Sequence, residues 1–149
     1  MVSVTGTGLE AAADWSSLRS PESYLGSGRR ENAAEGKLNH WTLAGDWAVG
    51  KEAITLHGAG GKIGYRFHAR DLHLVMGPAA AGNPVRFRVR LDGQSPGAAH
   101  GLDLEPDGTG QVTEPRLYQL IRQTQPIVDR AFEIEFLDPG VEAFVFTFG

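Results

Sequence analysis

The clearest pattern in the chain is a two-residue rhythm of apolar and polar side chains. Between Val85 and Leu91, residues Val85, Phe87, Val89 and Leu91 fall on one side and Arg86, Arg88 and Arg90 on the other. A period of two predicts a β-strand with one buried and one wet face, and Asp92-Gly93 ends it with turn chemistry. The same rhythm runs through 62–69, where Ile63, Tyr65 and Phe67 oppose Arg66 and His68. It returns in 131–137, where Phe132, Ile134 and Phe136 oppose Glu133 and Glu135, and in 141–148, with Phe144, Phe146 and Phe148 in phase. Shorter apolar runs at 40–47, 53–56, 72–76 and 112–122 complete the set.

Turn material separates these runs: Gly58 to Gly61, Gly77-Pro78, the Gly-, Pro- and Asp-rich stretch 93–110, and Asp138-Pro139-Gly140. About eight short strands bounded in this way predict an all-β fold, a jelly-roll β-sandwich of antiparallel strands. A parallel α/β sheet needs helix-length crossovers that are not seen between the strands. Upstream, 9–19 predicts a short helix that Ser20-Pro21 would end. Residues 26–37 are rich in Gly, Arg, Asn and Glu and predict a linker. The expected division is an N-terminal segment and linker at 1–37 and the sandwich module at 38–149.

A length of 149 residues suits one domain, and 41% hydrophobic content is enough for a core. The net charge of −4 gives no reason to expect a nucleic-acid partner. The absence of cysteine excludes disulfides, thiol redox chemistry and thiolate zinc sites. Residues after Met1 are polar and lack the basic and apolar regions of a signal peptide. Nothing approaches the roughly 20 apolar residues of a membrane helix, so no membrane segment is expected in this chain.

Several long stretches carry a family resemblance. They are Leu38-Asn39-His40-Trp41 through Gly45-Asp46-Trp47, Tyr65 through Pro78, Arg116-Leu117-Tyr118-Gln119-Leu120-Ile121-Arg122, Phe132 through Gly140, and the ending Phe146-Thr147-Phe148-Gly149. Together they resemble the C-terminal domain that follows a thioredoxin-like domain in DipZ-type cytochrome c biogenesis proteins and related thiol-disulfide oxidoreductases. Ser20 to Gly26 is similar to the linker between those two domains. The resemblance implies a jelly roll like that of carbohydrate-binding modules, with a saccharide or glycan and a thioredoxin-like domain as partners. It also implies an extracytoplasmic setting. No redox activity carries over, because the Cys-x-x-Cys pair belongs to the other domain.

The candidate ligand residues follow from chemistry. Sugar rings pack their C–H faces on aromatic planes while their hydroxyls seek polar groups. Trp41, Trp47 and Tyr118 are candidate planes, with core packing as the alternative. Arg86 and Arg88 share a face with Arg90, and Arg122 is expected on a neighbouring strand. Guanidinium forks could bind hydroxyls or carboxylates there. The alternative is a solvated face paired with Glu133 and Glu135. Asp103, Glu105, Asp107 and Glu114, with Gly108, have the alternating-oxygen spacing of a Ca2+ loop, but Pro106 and the missing flanking helices favour a plain acidic hairpin. His68 and His73 could share a metal only if a turn at Arg70-Asp71 joined them. Glu133 and Glu135 are a weak glycosidase pair, since both sit on one strand. The expected role is therefore non-catalytic saccharide binding. A structural or self-association module that docks on the redox domain and a small enzyme on the same sandwich are the rivals.

Overall fold

A computed structural model describes residues 20–26 and 38–149. The helix expected over 9–19 and nearly all of the expected linker lie outside these described residues. The strands are β1 (Ser23–Tyr24), β2 (Trp41–Ala44), β3 (Trp47–Val49), β4 (Ile54–Leu56), β5 (Lys62–Phe67), β6 (Asp71–Pro78), β7 (Val85–Leu91), β8 (Thr109–Val112), β9 (Arg116–Arg122), β10 (Arg130–Phe136) and β11 (Val141–Phe148). They form two antiparallel sheets. One has six strands in the order β3-β4-β11-β6-β9 with β1 also on β11, and the other has five in the order β2-β5-β10-β7-β8. From β4 to β7, and again from β8 to β11, each successive strand lies in the opposite sheet. The expected all-β sandwich forms, with the crossings of a jelly roll.

Two expected strands are each divided between sheets. The 40–47 run breaks at Gly45, whose φ of 110° is open to glycine alone, so β2 and β3 join different sheets. The 112–122 run breaks at 113–115, where Pro115 has no N–H to give a ladder. Phe144 also departs from its expected phase. The β6–β11 register shifts between Ala143 and Val145, which makes Phe144 a bulge residue, half-buried, while Phe146 and Phe148 point into the core. The segment likened to an interdomain linker is instead packed: Ser23 and Tyr24 pair with Phe146 and Val145, and Leu25 is fully buried.

The core fills with the in-phase aromatic and aliphatic residues of both sheets. Phe67, Phe87, Phe132, Phe136 and Phe146 are all buried. Tyr65 meets Phe146 at 4.9 Å between ring centroids, and Phe132 meets Phe146 edge-on at 5.8 Å. Each such side chain contributes about 1.5–3 kcal/mol of burial free energy. The Tyr65 hydroxyl shares a 2.5 Å hydrogen bond with Ser23, and its burial pushes its pKa up to about 12.

The two outer faces differ. The connection expected over 93–110 lies along β9, with Gly101 N–H donating to Leu120 O at 2.8 Å and Asp103 N–H to Gln119 O at 3.1 Å. A Cβ on Gly101 would fall on the Gln119 carbonyl, so only glycine allows this approach. β6 is buried along nearly its whole length. On this strand His73 is 2% exposed, with Nδ1 3.3 Å from Thr147 Oγ1, and burial lowers its pKa to about 4. In the five-stranded sheet β5, β7 and β10 keep the alternation of buried and open positions that the sequence shows.

Candidate ligand-binding site

The strand register arranges the open face of the five-stranded sheet as a grid. One row runs Thr42–Gly64–Glu133–Arg90 across β2, β5, β10 and β7. The next runs Ala44–Lys62–Glu135–Arg88–Thr109 and ends on β8. On the other side Arg66 faces Ala131. Long side chains fill most of the grid, but Gly64 and Ala131 do not. Their small size leaves a hollow of about 270 Å³ in the sheet surface, walled by His40, Thr42, Arg66, Arg90 and Glu133. A Cβ on Gly64 would stand 2.9 Å from Thr42 Oγ1, which shows how closely the wall approaches. His40 Nδ1 is buried in this wall with no hydrogen-bond partner.

The face carries charges of both signs. Lys62, Arg66, Arg86, Arg88 and Arg90 share it with Glu133, Glu135 and Asp138, and Asp92 and Asp107 lie within electrostatic reach of Arg66 and Arg88. Arg90 takes both glutamates, at 3.4 Å from Glu133 and 3.6 Å from Glu135. Arg86 forks onto Asp138 at 2.9 and 2.8 Å, and this hydrogen-bonded guanidinium holds the Asp138 pKa down to about 2. These exposed pairs contribute little stability, about 0–1 kcal/mol each. Their consequence is positional: they fix Arg90 and Glu133 at the rim of the hollow. Arg66 and Arg88 have no carboxylate in ion-pair range among the described residues, although Arg88 stands opposite Glu135.

Several expected site residues lie elsewhere. Trp41 is 1% exposed on the inner face of β2 and offers no plane to a ligand; it is core. Tyr118 is also buried. Its hydroxyl accepts from Thr113 N–H at 3.0 Å and Glu114 N–H at 3.2 Å and donates to Glu114 O at 2.7 Å, closing the turn before β9. Trp47 is half-buried, edge-on to Phe136 at 5.9 Å, with its ring N–H on Ala44 O. Arg122 belongs to the six-stranded sheet, away from the arginine row, and binds buried Asp71 through Nε at 2.8 Å. Arg86 and Arg88 do lie on the open face.

The acidic loop does not assemble for Ca2+. Asp103 binds Arg116 at 2.9 Å and Gln119 N–H at 2.7 Å, Asp107 binds Thr109, and Glu114 faces Arg116 at 3.8 Å. With Glu105 they form no group that could hold a metal, and none exists among the described residues. The oxygens that spacing suggested for a cation instead satisfy backbone N–H groups and an arginine. His68 pairs with Asp129 at 2.6 Å, while His73 is buried beside Thr147.

Arg66, Thr42, Gly64 and Ala131 were missed as site residues. The alternation of 62–69 already places Arg66 on the wet side. Its grouping with Arg90 and Glu133 needs the order β5-β10-β7, which no local pattern reveals.

Fold and face together define an all-β sandwich module whose five-stranded sheet presents an open, polar face carrying a hollow. The chain belongs to the thioredoxin-like C-terminal domain family, whose model matches residues 32–149. No curated protein matches it. Among the described residues no helix is long and apolar enough to cross a membrane.

Proposed function

We propose that this chain is a non-catalytic carbohydrate-binding-like module, accessory to a thioredoxin-like domain of the DipZ type, and that it holds a saccharide in the hollow over Gly64 and Ala131. The observation that supports this reading is the hollow itself: a gap in a charged sheet, ringed by fixed donors and acceptors. Sugar hydroxyls need such an arrangement, in which Thr42 offers a hydroxyl, Arg90 and Glu133 a preset donor and acceptor, and Arg66 a fork of N–H groups. Among the described residues no fully exposed aromatic plane adds stacking energy, so affinity is expected to be weak, about millimolar for a single sugar ring. The docking alternative draws on Leu102, which is 73% exposed, and on the less exposed Leu38, Val49 and Val128, but apolar residues exposed singly are ordinary on a protein surface.

Titration with a panel of neutral and acidic saccharides, followed by backbone amide resonances, tests the proposal. Shifts are expected at Thr42, Gly64 and Ala131. Gly64→Val fills the hollow and should abolish them while the rest of the spectrum stays folded. Shifts confined to another surface, or binding unchanged in Gly64→Val, would refute the reading.

A further inference from the structure

Arg66 is placed unusually for this sheet. Its cross-strand neighbour on β10 is Ala131, not an acid. The carboxylates nearest in the grid are already engaged: Glu133 and Glu135 with Arg90, and Asp92 with Arg130 and the Ala131 N–H. Arg66 is exposed and forms one wall of the hollow, with Arg90 on the far side. Two intervals of strand spacing separate β5 from β7, about 10 Å, so the hollow lies between two guanidinium groups. Arg90 has two carboxylates in ion-pair range, whereas Arg66 feels the charge of Asp92 without an ion pair to any carboxylate among the described residues.

The geometry points to a ligand that carries a carboxylate, as a uronic acid does, with Arg66 taking the carboxylate and Thr42 and Glu133 taking ring hydroxyls. This rests on the reading of the hollow as a saccharide site. A neutral hydroxyl could accept from Arg66, but a carboxylate meets the guanidinium fork with two charge-assisted bonds, each roughly twice as strong as a neutral one.

The test compares glucuronate, glucose and acetate on the same protein, read from the Gly64 and Ala131 amide resonances. Glucuronate is expected to bind at least about tenfold more tightly than glucose, as one charge-assisted bond allows. The preference should shrink with added salt and vanish in Arg66→Gln. Equal binding of glucose and glucuronate, or an undiminished preference in Arg66→Gln, overturns the acidic ligand and leaves the saccharide site standing. Acetate matching glucuronate supports carboxylate recognition and overturns the saccharide reading. No shift with any of the three overturns both.

Discussion

Acid should weaken this fold as the pH falls from 6.5, and His73 is the reason. Buried on β6, its ring has a pKa lowered from 6.5 to about 4, chiefly because burial penalises the charged form. Asp103 opposes the shift and Arg70 adds to it. Above pH 6.5 the imidazole is neutral in both folded and unfolded chains, and the shift has no effect. As the pH falls from 6.5 towards 4 the unfolded chain takes up a proton that the fold refuses, so stability is lost as pH falls. At 1.36 kcal/mol per pH unit, the full loss is about 3 kcal/mol. For a domain of this size that lowers the melting temperature by roughly 10 °C. Asp138, held at about 2 by Arg86, loses its contribution at lower pH, as the solution falls through its ordinary 3.8. Urea unfolding at several pH values between 7 and 4 measures the slope. In His73→Gln, which keeps a polar side chain beside Thr147 but cannot titrate, the slope in this window should be nearly flat. Wild type and variant falling in parallel would refute the assignment.

Two further predictions concern residues whose chemistry suggested a ligand but whose place is structural. Trp41→Ala empties a core site and should cost about 3–5 kcal/mol in urea unfolding, while saccharide shifts at Gly64 persist wherever the variant stays folded. Tyr118→Phe strips the Thr113 and Glu114 N–H groups of their acceptor and the Glu114 carbonyl of its donor, a loss of about 1–3 kcal/mol. Thermal unfolding checks it, and an unchanged midpoint would contradict the bonding described.

Some of the site was legible in the residues. The wet side of 85–91 and of 131–137 is written in alternating Arg and Glu, and the structure keeps Arg86 and Arg88 on that side. The aromatics misled because a tryptophan or tyrosine has the same chemistry on a surface and in a core; the inward phase of Trp41 follows only from its pairing with Tyr65. The acidic loop misled because carboxylate spacing is shared by cation sites and by turns that hold their own backbone N–H groups.

What the sequence determined by itself is the kind of element and its two faces, since a period of two is a property of a strand taken alone. It also marked the turns, because glycine, proline and aspartate act within a few residues. Only the tertiary structure decided which strands became neighbours. Gly64 comes from β5, Ala131 from β10 and Arg90 from β7, and register and crossing order alone bring them round one hollow. It likewise decided that the 93–110 segment lies along β9, since that contact joins residues of separate elements and no local pattern reveals it.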